Sequence, residues 1–267
     1  GTLDVIEPAT ERVLDTVARG GVDEVDAAVE RAREALPAWR AVAPGDRAAL
    51  LRRIADAMEH DLEAFAVLEA RNAGKPIGDA RGEMEMVAEV FRYYAGAPER
   101  LLGDTIPIAS GMAFTVREPL GVVGLITPWN FPLVIAAWKL GPALAAGNTV
   151  VLKPAELTPM TALRFEKLAV AAGLPEGVLN VVAGPGSECG RRLVEHPGVA
   201  KIAFTGSTAV GRSIAAGAAQ TIKRVTLELG GKSPNIILPD ADLKAATKGA
   251  FQGIYFNTGQ ACNAASR

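Results

Sequence analysis

Between residues 22 and 100 the apolar positions fall at helical intervals. Val25, Val29, Ala32 and Leu36 recur at spacings of four, three and four, which places them on one helical face. Asp23, just ahead of them, is the expected N-cap, because its carboxylate can accept from the free N–H groups of the first turn. Leu51, Ile54, Met58, Leu62, Phe65 and Leu68 repeat the pattern over a longer helix, for which Gly74 and Pro76 supply the stop. Met84, Val87, Phe91 and Tyr94 mark a third helix. The Met and aromatic residues on these stripes read as core.

The pattern changes after residue 100. Ile106-Pro107-Ile108, a Ser110-Gly111 turn and Ala113-Phe114-Thr115-Val116 predict a hairpin over 101–119. It is either a surface feature or an arm that pairs with another subunit. From residue 121 apolar strands alternate with apolar helices. Strands are expected at Val122–Ile126, Thr149–Leu152, Leu179–Val182, Lys201–Phe204 and Val225–Leu229, with helices at 131–146, 159–172, 188–195 and 208–219. That rhythm defines an α/β protein built of βαβ units, with a parallel sheet covered by helices on both faces. A shorter strand at Asn235–Leu238 and a helix from Asp240 follow Gly230-Gly231, which marks the expected domain boundary.

Composition narrows the function classes. The chain has 267 residues, 49% hydrophobic and 22% charged, with 28 Lys+Arg against 30 Asp+Glu and a formal net charge of −2. Such a balance gives no electrostatic footprint for a nucleic-acid partner. Two histidines, His60 and His196, argue against a His-based zinc site or a Ser-His-Asp hydrolase. Two cysteines, Cys189 and Cys262, cannot form a disulfide framework and fit a reducing compartment. The start, Gly1-Thr2-Leu3-Asp4, has neither an initiating Met nor a signal-peptide pattern, and a cytoplasmic location is expected. The apolar stretch from Phe131 to Val151 is interrupted by Lys139, Gly141-Pro142 and Gly147-Asn148, so it reads as a buried helix, a turn and a buried strand. No membrane partner is expected.

The chemistry gathers at the carboxyl ends of the strands, where open α/β sheets bind ligands. Gly206-Ser207 opens a helix whose free N–H groups favour an anion such as pyrophosphate, although Ser207 also serves as a plain N-cap. Lys153 and Glu156 follow the second strand. A carboxylate there can accept from both hydroxyls of an adenosine ribose and would repel a 2′-phosphate; the alternative is a solvent-exposed Lys/Glu pair. In Val225-Thr226-Leu227-Glu228-Leu229, alternation sets Thr226 and Glu228 on the face opposite Val225, Leu227 and Leu229. A buried, unpaired Glu228 would have a raised pKa suited to a general base, and a salt-bridged structural role is the alternative. Cys262, in Gly259-Gln260-Ala261-Cys262-Asn263, lacks apolar neighbours, and a helix expected after it would lower the thiol pKa. Cys189, in a helical stretch, reads as structural.

With these motifs assembled, the chain closely resembles the NAD(P)-dependent aldehyde dehydrogenase superfamily. The resemblance rests on Thr127-Pro128-Trp129-Asn130-Phe131-Pro132, Lys153-Pro154-Ala155-Glu156, Phe204-Thr205-Gly206-Ser207-Thr208, Leu227-Glu228-Leu229-Gly230-Gly231-Lys232 and Phe256-Asn257-Thr258-Gly259-Gln260-Ala261-Cys262. It implies a Rossmann-like NAD-binding domain over 1–100 and 120–230, an oligomerisation arm over 101–119, and the start of a second α/β, catalytic domain over 231–267. It also implies oxidation of an aldehyde to a carboxylic acid. Cys262 would be the nucleophile, Asn130 and the Cys262 backbone N–H the oxyanion donors, Glu228 the base that activates water, and Lys139 a proton-relay group. Cofactor contacts are implied at Ile126, Thr127, Pro128, Trp129, Lys153, Glu156, Gly186, Phe204, Thr205, Gly206, Ser207, Val210 and Leu229, with Trp129 also beside the substrate. NAD is the expected cofactor and NADP an alternative. The partners implied are a small aldehyde and further copies of the chain, as a homo-dimer or homo-tetramer.

Family members usually run well past the nucleophile, whereas this chain ends at Arg267. A fragment of a longer enzyme is therefore expected, one that exposes apolar surface after Gly231. Two alternatives remain open at this stage. One is a CoA-acylating relative, which the presence of Glu228 argues against; the other is a cofactor-binding fragment without turnover.

Overall fold

A computed structural model describes residues 1–267. The chain opens with an antiparallel hairpin, β1 (Thr2–Glu7) and β2 (Arg12–Ala18), to which the sequence reading assigned no element. Four helices follow: α1 (Val22–Ala41), α2 (Pro44–His60), α3 (Leu62–Ala73) and α4 (Ile77–Ala95). Two expectations need correction here. The N-cap of α1 is Gly21 and not Asp23; Glu24 reaches back to accept from the Gly21 N–H at 2.7 Å, so the carboxylate works from inside the first turn. The single helix expected through Leu51–Leu68 is two helices broken at Asp61, whose carboxylate accepts from Arg164 at 2.6 Å. The apolar period continues across the break because α2 and α3 bury residues in the same core. Gly74 does end α3, in the left-handed region at φ 72°.

The 101–119 hairpin is present as β3 (Thr105–Ile106) and β4 (Ala113–Phe114). Then come β5 (Val122–Ile126), α5 (Pro132–Ala145), β6 (Thr149–Lys153), α6 (Met160–Ala171) and β7 (Leu179–Val181). A π-turn at Gly186–Gly190 leads into the short α7 (Arg191–Glu195), in place of the regular helix expected over 188–195. The remainder is β8 (Lys201–Gly206), α8 (Thr208–Ala219), β9 (Arg224–Leu229) and α9 (Leu243–Tyr255).

β5 to β9 form one parallel sheet in the order β7-β6-β5-β8-β9. The chain steps outward from β5 to β7, then crosses back to lay β8 against the other side of β5. The point where it changes direction is a crevice at the carboxyl ends of β5 and β8. Alternation along the strands divides the core in two. Val123, Leu125, Val150 and Leu152 join α2 to α6, whereas Val122, Ile126, Val151, Ile202 and Phe204 join α1, α7 and α8. Helices therefore cover both faces, as expected. Leu133, Leu140 and Leu144 of α5 are fully buried, each contributing about 1.5–3 kcal/mol through the apolar surface removed from water. No helix is long and apolar enough to cross a membrane.

Beyond Leu229 only Asn257 is buried. Asn235–Leu238 is not a strand, because no strand of the chain lies beside it. Helix α9 starts at Leu243 and not at Asp240; Asp242 caps it by accepting from the Lys244 N–H at 2.8 Å. It has no buried residue, and Ile236, Leu243 and Phe251 are 78%, 76% and 62% exposed. The apolar surface expected after Gly231 is there.

Candidate active site

The carboxyl ends of the strands put most of the singled-out residues along one edge. Ile126 ends β5 and sits level with Lys153 of β6 and Phe204 of β8, and the Thr127 N–H donates to the Lys153 carbonyl at 3.1 Å. Leu229 ends β9, level with Gly206. Ile126, Thr127, Lys153, Phe204 and Thr205 are buried, Pro128, Gly206 and Leu229 half-buried, and Trp129, Glu156, Gly186, Ser207 and Val210 exposed.

Lys153 is not the exposed half of a Lys/Glu pair. Its Nζ donates to the carbonyls of Pro154 at 2.6 Å and Gly184 at 3.2 Å, leaving one N–H free. Burial lowers its pKa, against the pull of Cys189 and Glu156. Glu156 stands exposed at the mouth of the edge. Ser207 acts as the N-cap of α8, accepting from the Val210 N–H at 3.3 Å, so the bland reading of its hydroxyl holds. The amides of the first turn still face the crevice's side of the sheet as an anion site would require.

Three observations fit a dinucleotide at this edge. The Thr127 hydroxyl is buried without a hydrogen-bond partner. A Cβ at Gly206 would lie 2.5 Å from the Phe204 ring, so the backbone there stays bare for close approach. The space beside Gly186 is open to 4 Å.

The other face of the sheet carries a cavity of about 500 Å³. Thr226 and Glu228 project into it from β9, Thr205 and Lys201 from β8, Lys139 from α5, and Cys262 closes one side. The alternation in β9 is as expected, with Val225, Leu227 and Leu229 against the α8 side. Glu228 itself is exposed and not buried, because no strand lies beyond β9 to cover it. Lys139 is half-buried; burial pushes its ammonium down to about 8, opposed by the charge of Glu228 and reinforced by Lys201.

Cys262 is exposed, and its carbonyl accepts from the Gly231 N–H at 3.2 Å. The helix expected after it is absent: residues 264–267 are in no regular element. Cys189 is fully buried, and burial pushes its thiol pKa up, in keeping with a structural role. Asn130, half-buried between β5 and α5, donates from Nδ2 to the Gln260 carbonyl at 2.7 Å. That bond ties it two residues from the sulfur and leaves its second amide N–H available.

Sequence reasoning missed the layer beneath Asn130. The Asn130 carbonyl accepts from Lys75 Nζ at 2.9 Å and from Asn257 Nδ2 at 3.0 Å. Lys75 is paired with Glu83, and Glu69 accepts from the Leu133 N–H at 3.1 Å and the Thr161 hydroxyl at 2.6 Å. Burial raises both carboxyl pKa values, against the pull of Lys75. Asn257 and Thr258 adopt positive φ of 49° and 56°, a strained turn that curls the chain under Asn130. The only sequence signal was the placement of a charged residue in Gly74-Lys75-Pro76, read simply as a helix stop.

The site therefore defines a class of protein: an α/β nucleotide-type fold with a sulfur, a carboxylate and an amide gathered beside the strand ends. The chain belongs to the Aldehyde dehydrogenase family, whose family model matches residues 1–267. It is 50% identical to a phenylacetaldehyde dehydrogenase of Pseudomonas fluorescens, over 100% of this chain and 55% of that protein. Among solved structures, an NAD+ complex of aldehyde dehydrogenase from Bacillus cereus superposes with a TM-score of 0.98 at 49% identity, over 100% of this chain and 55% of that one. An NADP dependent enzyme of E. coli gives a TM-score of 0.98 at 43% identity, over 100% and 56%. The chain spans about half the length of the relatives it matches.

Proposed function

We propose that this chain carries the dinucleotide site and the nucleophile of an NAD-dependent aldehyde dehydrogenase, and that it forms the first part of a longer polypeptide. The reading is carried by one observation: Cys262 and Glu228 border the same cavity, while Asn130 is bonded to Gln260 beside the sulfur. The Cys262 thiolate attacks the aldehyde carbon. Lys139 and Lys201 line the same cavity. The free N–H of the Asn130 amide and the Cys262 backbone N–H receive the developing oxyanion, where fixed donors count most. The nicotinamide dinucleotide, when bound, supplies a hydride acceptor. Glu228 takes a proton from water, which attacks the thioester carbonyl and releases the carboxylic acid. Its exposed position on the cavity wall suits a group that must reach solvent.

Lys153 and Glu156 are assigned to the adenosine ribose, Ser207 and the first turn of α8 to the pyrophosphate, and exposed Val210 to the adenine. Ile126 to Trp129, Gly186, Phe204 to Gly206 and Leu229 form the remaining walls. The Glu156 carboxylate favours NAD over NADP by charge, because a 2′-phosphate would lie against it. The end of β9 at Leu229 and the lack of burial in α9 support a domain boundary at Gly230-Gly231. Exposed Ile106, Met112 and Phe114 on the 101–119 hairpin support an arm that pairs with a second subunit in a dimer or tetramer. The two free cysteines support a reducing, cytoplasmic setting.

The test is NADH formation by the complete enzyme over a panel of aldehydes. Cys262→Ala is expected to reduce turnover by about a thousandfold or more while leaving NAD affinity within about twofold. Undiminished NADH formation by that variant would overturn the assignment.

A further inference from the structure

Asn130 sits in the link between β5 and α5, outside any regular element. Only one rotatable bond, ψ, separates its carbonyl from its Cα–Cβ bond, and the Nδ2 hydrogen bond to the Gln260 carbonyl at 2.7 Å holds the side-chain torsions. Whatever holds the carbonyl therefore fixes the base from which the side chain reaches. Two side chains hold it, and they differ in kind. Asn257 approaches from the strained turn before Cys262. Lys75 comes from the α3–α4 junction, on the rigid helical side of the molecule.

The Lys75 side chain is 1% exposed and its partner Glu83 5%. Two of its N–H groups reach the two Glu83 oxygens, each at 2.6 Å, and a third reaches the Asn130 carbonyl at 2.9 Å. All three donors of the ammonium are thereby used, and the charge also lies over the Phe131 ring, 4.7 Å from its centroid. Burying such a pair costs several kcal/mol per ion, and an apolar pair of the same volume is often as stable or more so. Stability alone thus gives no physical reason for charge at this place. The direction of the third N–H does: it ends on the residue whose amide meets the substrate oxygen.

We propose that Lys75 is a positioning residue, which acts through the Asn130 main-chain carbonyl to hold the Asn130 amide where the oxyanion forms, with Glu83 fixing the ammonium. This rests on the reading of Asn130 as an oxyanion donor. Glu69 secures the far end of the same segment through the Leu133 N–H. Residues 130 to 133 are therefore anchored at both ends by buried polar side chains.

The experiment is a double-mutant cycle on the complete enzyme, read as the single-turnover rate of NADH formation with saturating NAD. The variants are Asn130→Ala, Lys75→Met with Glu83→Leu, and the two combined. The paired replacement removes both partners of the salt bridge together, so neither Lys75 nor Glu83 is left without the other. Lys75→Gln with Glu83→Gln, which keeps neutral hydrogen-bonding groups, serves if the apolar pair does not fold. Asn130→Ala is expected to slow the reaction by about a hundredfold. The Lys75 replacement is expected to slow it about tenfold in the parent, through misplacement of the donor. It should cost less than about twofold in the Asn130→Ala background, with NAD affinity unchanged in both. Equal losses in the two backgrounds, or no loss in a folded Lys75 variant, would overturn the proposal while leaving Asn130 in its role. An Asn130→Ala enzyme as fast as the parent would overturn both.

Discussion

A lysine near a carboxylate ordinarily holds its proton more tightly, yet Lys139 does not. Burial outweighs the charge of Glu228 and pushes the ammonium from 10.5 down to about 8. The unfolded chain then binds this proton more strongly than the folded one over that interval, so the group's contribution to stability rises as pH climbs from about 8 to 10.5. Denaturation midpoints of the parent should gain on those of Lys139→Met across that range, whereas parallel profiles would refute the depressed pKa. Cys262 and Glu228 stand out as candidates in the sequence because each breaks its local pattern: a cysteine enclosed by no run of apolar neighbours, and a carboxylate on the alternate face of an apolar strand. The environment of each was not legible. Glu228 is exposed because β9 is the edge strand of the sheet, and residues 264–267 after Cys262 are in no regular element. Lys75 and Asn257 escaped for a related reason. Their meaning lies in contacts to Asn130 across 55 and 127 positions, and local spacing carries no trace of them.

The strands of the parallel sheet could be placed from apolar runs bounded by glycine and polar residues, since strands buried on both faces leave a continuous apolar signature. Val122–Ile126 is the clearest, with all five residues buried. Asn235–Leu238 has the same local signature and is not a strand, because pairing requires a neighbour that composition cannot supply. The hairpin at Thr2–Ala18 shows the reverse, a pair of strands whose alternating Leu3, Val5 and Val13, Val17 could have been read: Val5 is buried, Leu3 and Val17 are half-buried and Val13 is exposed. The break at Asp61 was hidden because one apolar stripe served two helices. A single atom governs the fit of β5 beneath α7: a Cβ at Gly124 would lie 2.7 Å from Ile202 Cδ1 and 2.8 Å from Leu193 Cγ. These are buried atoms with nowhere to retreat. Gly124→Ala is expected to destabilise by about 1–3 kcal/mol through overpacking, read as a lower denaturant midpoint at an unchanged slope. A neutral or stabilised variant would mean that α7 is free to move away.

Across the molecule, the sheet separates two tasks. The edge facing α1, α7 and α8 offers bare backbone, a free lysine N–H and a helix start, which suit a dinucleotide. The face toward α5 offers a sulfur, a carboxylate and a half-buried lysine, which suit carbonyl chemistry. The topology brings the two together at the one place where the strand order reverses, so a ligand held on the first side can reach a reacting carbon on the second. Ile236, Leu243 and Phe251 after Gly231 present exposed apolar surface. The most direct measurement is mass spectrometry of the complete enzyme, quenched during reaction with NAD and an aldehyde, for the Glu228→Gln variant. An acyl group should accumulate on the peptide containing Cys262, because the sulfur still attacks and the water is no longer activated. NADH formed with the acyl group on another residue, or with no acylated cysteine at any time, would contradict the convergence of Cys262 and Glu228 on one carbonyl.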